Sequence, residues 1–193
     1  PIKNSLNTPS GKIEITSNTI RNFKLKDCKG HPTWIEPYEW LGKKENFPLH
    51  LISNQPEYRL HGQLDNAKYS LKNKIKNREP VLMNSKDAED RNIKNNDIVL
   101  IFNKRGKVLA GARLSDAVMR GVLVLSTGAW FDPDYEKNLD LHGNPNVLTK
   151  DIGTSELAQG PTSHTCLVEI RKAEKSEIKK VKIFSKPNIQ KKA

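Results

Sequence analysis

Apolar positions along this chain come in short runs, each ended by a polar loop. Residues 49–53 are apolar up to the cluster Ser53-Asn54-Gln55-Pro56, and residues 81–83 read as a second strand. The clearest β signal is residues 97–102 and 107–114, joined by Asn103-Lys104-Arg105-Gly106, whose glycine is available for positive φ. Residues 121–126 give a further buried strand and residues 165–170 a last one. Helical spacing is rarer. Leu64, Ala67, Leu71 and Ile75 predict a helix within residues 61–76, and Ser85 caps a short one to Asp90, with Asp87 and Glu89 in its first turn. This pattern predicts a mainly-β closed barrel with a few short helices, not a parallel α/β sheet.

Residues 1–46 read as an extended N-terminal arm, residues 47–172 as the barrel and residues 173–193 as a basic tail. The arm holds Pro9-Ser10-Gly11, an alternating Ile13, Ile15 strand candidate, and prolines around Trp34, Tyr38 and Trp40. Aromatic side chains set among prolines pack an extended segment onto a neighbour. The formal charge is +11, but residues 172–193 carry eight lysines against Glu174 and Glu177, a local +6 that leaves about +5 for the rest. The body is only mildly basic, so the overall charge does not by itself imply nucleic acid; a solvated tail is expected. Cys28 and Cys166 lie far apart without metal spacing and read as unrelated thiols, and no apolar run is long enough for a membrane span. The chain starts at Pro1 without a signal-like segment and reads as a fragment, so this terminus does not give the compartment.

Catalytic material is scarce. His31, His50, His61, His142 and His164 show no metal-binding spacing, and nucleophile elbows, Walker loops and dinucleotide glycine fingerprints are missing. No catalytic or metal-ligating residue is assigned. Three polar clusters do follow or join strands: residues 53–63, 127–135 and 144–159. Backbone N–H groups at Gly128, Gly143 and Gly153, with Ser and Thr hydroxyls, suit phosphate oxygens. Asn and Gln amides match the edges of pterin or guanine rings, and Arg59 or His61 suits a pyrophosphate. The same clusters also read as turns satisfying their own backbone.

Four stretches, FPLHLIS from Phe47, RLHGQL from Arg59, GAWFDP from Gly128 and HGNPNVLTKDIGTSELAQG from His142, together carry a resemblance. Over about residues 10–172 the chain resembles the C-terminal domain of bacterial molybdopterin oxidoreductases, in the branch of dimethyl sulfoxide, trimethylamine N-oxide and biotin sulfoxide reductases. The resemblance implies a double-psi β-barrel closing over bis(molybdopterin guanine dinucleotide) molybdenum, bound jointly with preceding domains that hold the metal's serine ligand. By motif position it implies cofactor contacts from Ser53, Asn54, Gln55, Arg59, His61, Thr127, Gly128, Trp130, Asn144, Asn146 and Gln159. Gln55, where dimethyl sulfoxide reductases tend to have His, and the HGNPN stretch lean towards the N-oxide and biotin sulfoxide branches. The implied activity is S-oxide or N-oxide reduction by the full-length protein, not by this piece alone. The implied partners are the preceding domains, the cofactor and an electron donor of unknown identity, with no nucleic acid. The implied setting is a bacterial periplasm or cytoplasm, the periplasm favoured. The rival expectation is a basic barrel that binds RNA or a protein partner.

Overall fold

The structure is a computed structural model that describes residues 4–185. It divides into two compact units. One is drawn from the described residues up to Pro37 with Asp151–Thr162, the other from Tyr38–Lys150 and the described residues from Ser163 on.

The larger unit is a closed barrel. Its strands are β1 (Leu49–Ile52), β2 (Pro80–Met83), β3 (Ile98–Phe102), β4 (Lys107–Leu114), β5 (Val122–Leu125) and β8 (Leu167–Lys172), with β6 (Pro133–Asp134) and β7 (Leu139–Asp140) as a small hairpin beside β4. Hydrogen bonding runs β2-β5-β1-β8-β3-β4, and a β2–β4 pairing closes the ring. Two pairings are parallel, β1 with β5 and β2 with β4; the other four of the ring are antiparallel. This mainly-β architecture, with six strands closed on themselves and a few short helices, is the double-psi barrel expected. Closure removes the exposed strand edges that would otherwise template aggregation.

Strands β3 and β4 are apolar on successive residues because both their faces are buried. Val99, Ile101, Val108, Ala110 and Ala112 join β1, β2, β5 and β8 side chains in the barrel interior. Ile98, Leu100 and Leu109 point outwards into a second cluster with Leu139, Leu141 and Ala173. Burying one such leucine is worth roughly 1.5–3 kcal/mol. The second cluster pins both ends of the turn that holds Asp140, the anchor of the site described below.

Local departures have identifiable causes. The helix expected within residues 61–76 shrinks to α2 (Lys68–Asn73), since His61 and Leu64 take left-handed φ values of 48° and 59°. Those residues wrap a loop around the buried Asp65 instead. For α3 (Ser85–Glu89), Asn84 rather than Ser85 is the cap, its side chain accepting from Lys86 N. Gly106 has no positive φ among the described residues; its role is close approach, since a Cβ there would sit 2.6 Å from the Val147 carbonyl oxygen. The tail also departs from a solvated segment. Up to Ser185 it folds back on the barrel: Phe184 stacks edge-on to His142, and the Lys182 and Ile183 N–H groups donate to Asp132.

The smaller unit holds no strand at Ile13 and Ile15, which are exposed. Helix α1 (Asn18–Asn22) is capped by the Ser17 hydroxyl accepting from Ile20 N at 3.2 Å. Lys26 N–H donates to Glu156, and Glu156 N–H donates to Asp27, tying residues 26–27 to the 151–162 loop.

Candidate functional site

Three loops of the larger unit meet at the mouth of the barrel. The first, residues 53–63, leaves β1; the second, residues 126–131, leaves β5; the third, residues 140–146, leaves β7. Thr127 N–H donates to Asn54 O at 2.9 Å, and the Ser126 hydroxyl to Asn54 Oδ1 at 2.9 Å, which zips the first loop to the second. Trp130 Nε1 donates to Gly62 O at 2.6 Å. His142 Nδ1 lies 2.8 Å from Trp130 O, an atom that only accepts, so Nδ1 carries the proton and the third loop is bound to the second.

Two glycines permit these approaches. Gly128 has φ +85°, and a Cβ there would collide with the His61 carbonyl; at Gly143, φ +110°, one would sit 2.5 Å from Glu79 Cβ. Any L side chain at either position would be strained twice over, by backbone and by contact.

Behind the loops lies a buried charge quartet. Lys74 Nζ sits 2.7 Å from Asp65 and 2.8 Å from Glu79. Arg59 approaches the same carboxylates at 3.3 Å and 3.1 Å. Arg59 also donates to His61 O at 3.0 Å and to Thr127 O at 2.9 Å. Its side chain is 3% exposed and its three nitrogens are engaged within the protein, so it braces loops where a pyrophosphate contact was expected. Asp65 further accepts from Trp130 N at 3.0 Å. Burial alone would raise its carboxyl; Lys74, the Trp130 N–H and Arg59 outweigh that and hold it below the usual range. His142 is fully buried, and burial followed by the nearby Lys74 charge pushes its pKa down, so the ring is neutral.

Asp140 organises the third loop. One carboxylate oxygen accepts from Asp132 N at 2.8 Å, the other from the N–H groups of His142, Gly143 and Asn144 at 3.3, 2.8 and 2.8 Å. Gly143 N–H is therefore committed to the protein, not to a phosphate. Burial raises the Asp140 pKa, only partly offset by these donors. Neither Asp65 nor Asp140 was singled out from sequence. The available signal was a carboxylate between Leu139 and Leu141, a charge inside an alternating apolar pair.

What remains open to a ligand is amide-rich. Asn54, Gln55, His61 and Asn146 are exposed, and Gln55 Nε2 lies 2.8 Å from His61 Nδ1. The Ser53 hydroxyl is buried and has no partner among the described residues. Beside them a cleft of about 160 Å³ is walled by Asn54, Tyr58, Arg113 and Ser126. Asn144 caps the turn Pro145–Val147, its side chain accepting from Asn146 N at 3.0 Å. Gln159 belongs to the smaller unit, where its Nε2 donates to Ser155 O at 3.0 Å. There the Ser155 hydroxyl accepts from the Leu157 and Ala158 N–H groups, and the Thr154 hydroxyl donates to Ala158 O. Among the described residues no cluster of His, Cys, Asp and Glu could hold a metal ion, and no helix is long and apolar enough to cross a membrane.

Residues 49–167 match the family model described as the molydopterin dinucleotide binding domain. The chain belongs to that family. A dinucleotide with amide-recognised rings is what the exposed Asn and Gln side chains and the unpartnered Ser53 hydroxyl fit, and membership selects this reading over a basic module for RNA or protein. This molydopterin dinucleotide binding domain is 48% identical over 177 residues to a trimethylamine-N-oxide reductase of Haemophilus influenzae, covering 89% of the chain and 22% of the relative. It is 48% identical over 170 residues to a biotin sulfoxide reductase of Cereibacter sphaeroides, covering 88% and 23%. The chain thus spans about a quarter or less of these relatives. An acetylene hydratase from Pelobacter acetylenicus shares the fold with TM-score 0.70 and 15% identity, over 88% of this chain and 24% of that one.

Proposed function

We propose that the domain closes over a bis(molybdopterin guanine dinucleotide) molybdenum cofactor held jointly with preceding domains of the same polypeptide, and that the whole protein reduces an S-oxide or N-oxide. The observation that carries this reading is the convergence of the 53–63, 126–131 and 140–146 loops on Trp130, which leaves amides exposed at the rim while the charges behind them are neutralised in pairs. The bound group supplies the two-electron redox centre; with two protons, the oxide oxygen leaves as water and the S or N atom is reduced.

This chain's residues bind and orient. Asn54, Gln55 and His61 present donors and acceptors from the first loop, Asn146 from the third, and Gln159 from the smaller unit's own loop. Ser53, Thr127, Gly128, Trp130 and Asn144 shape the surfaces between them. Arg59 acts one step back, holding His61 O and Thr127 O in register. One relative is named for trimethylamine N-oxide and another for biotin sulfoxide, which supports a substrate of that chemical class; the setting proposed is a bacterial periplasm or cytoplasm, the periplasm favoured. The test uses the intact polypeptide. Gln55→Ala and Asn146→Ala should each lower bound guanine nucleotide and molybdenum per chain and lower turnover in proportion. Wild-type content and turnover in both variants would remove them from the site.

A further inference from the structure

Beyond the matched residues 49–167, the chain continues into a segment that returns to the site. Arg78 Nη2 donates to Lys179 O at 2.5 Å, and Lys179 Nζ pairs with Asp134 at 2.6 Å. Lys182 and Ile183 donate their N–H groups to one oxygen of Asp132, at 2.6 and 3.1 Å. Asp132 N–H in turn donates to Asp140, the carboxylate around which the third loop is wound. The segment ends on an aromatic contact. The Phe184 ring lies 4.8 Å from His142 in a T-shaped arrangement and 5.9 Å from Trp130, with Lys74 Nζ 5.9 Å from its centroid. His142 Nε2 is buried and without a partner among the described residues.

We infer that residues 174–185 are a clasp, and that Phe184 is a positioning residue that sets Trp130 and His142, and through them the second and third loops, for the dinucleotide. Three facts support it. The Trp130 side chain bonds the second loop to the first, the His142 side chain bonds the third loop to the second, and Phe184 touches both rings. His142 Nε2 is buried without a hydrogen-bond partner among the described residues, which costs free energy, and the edge-on Phe184 ring supplies packing on the imidazole that offsets part of it. Among the described residues the clasp's polar anchors are Arg78, Asp132, Asp134, Glu136, Lys137 and Arg171, not the exposed amides of Asn54, Gln55 or Asn146. The clasp therefore leaves the proposed ligand-facing rim open.

The inference rests on the cofactor reading, and its test separates the two. In the intact polypeptide prepared free of cofactor, amide exchange at residues 128–130 and 143–144 reports loop opening directly. Phe184→Ala should speed that exchange about tenfold, the scale of one such aromatic contact, while exchange in strands β3 and β4 stays unchanged. Phe184→Tyr should restore it. In the holoenzyme Phe184→Ala should release guanine nucleotide faster by a similar factor. Unchanged exchange overturns the clasp, and so does slower release, which would make the segment an occupant of the cleft. Should Phe184→Ala fail to fold, Phe184→Leu is read in the same way, with partial acceleration expected and none overturning the clasp. Wild-type polypeptide that retains no guanine nucleotide would defeat the cofactor reading and leave the exchange result standing.

Discussion

At the scale of single residues, the site is governed by buried ionisable groups whose pKa shifts differ in sign. The lowered pKa of His142 favours its neutral form in the fold. Stability from that neutrality is complete above 6.5 and is lost as pH falls from 6.5 through the folded value. Asp65, also lowered, contributes stability above 3.8 that is lost only on stronger acidification. Asp140 runs the other way: its raised pKa means that its ionised form costs stability as pH rises through the window above 3.8. Local opening around Trp130 and His142 should therefore grow as pH drops below 6.5, well before Asp65 titrates. His142→Asn, which can keep a donor towards Trp130 O, should flatten that dependence. Amide exchange of residues 130 and 142–144 between pH 7 and 5 checks it, and an unchanged slope in the variant would assign the effect elsewhere. His50, whose pKa burial also lowers, lies on β1 and should affect different amides.

At the scale of elements, much of the barrel was legible and its loops were not. The strands β3, β4 and β5 were readable because they are buried runs with a turn between the first two, and apolar continuity marks a strand covered on both faces. Helix α2 was over-read because Leu64 and Ile75 kept helical spacing while serving other ends. Ile75 bridges to Arg78, and Leu64 sits in the loop wound around Asp65. Nothing in a periodic pattern announces that Arg59, Asp65, Lys74 and Glu79 meet, since the partners are brought together by the return of β2 alongside the first loop. That quartet is balanced, two cations to two carboxylates, and the balance is what matters inside a protein. Lys74→Met leaves Asp65 and Glu79 facing Arg59 alone and should destabilise the loops by about 3–5 kcal/mol. Adding Glu79→Gln restores neutrality and should recover most of that loss. Limited proteolysis within residues 127–145 of the intact polypeptide distinguishes these, the single variant being cut fast and the double near wild type. Equal cutting of both would show that charge balance is not the source of stability.

At the scale of the whole molecule, sequence motifs pointed to one set of eleven contact residues, and the structure distributes them over two compact units. Gln55, His61, Trp130 and Asn144 lie on loops joined by hydrogen bonds in the larger unit, whereas Gln159 sits in a loop that folds on itself through Ser155. The difference was not legible because residues 142–160 read as one polar stretch, broken only by Val147, Leu148, Ile152 and Leu157. The unit boundary falls after Lys150, where no change of composition marks it. The Gln159 loop is held by its own internal bonds, so its response to a ligand is read separately from that of the Trp130-centred loops. Loading the intact polypeptide with its dinucleotide should therefore slow amide exchange in two separate segments, residues 54–63 and 154–159, and to a comparable extent. A Gln159→Ala variant should lose protection in the second segment only, because its loss leaves the Trp130-centred loops intact. If residues 154–159 exchange alike with and without the dinucleotide, Gln159 leaves the contact set and the binding surface reduces to the three loops of the barrel.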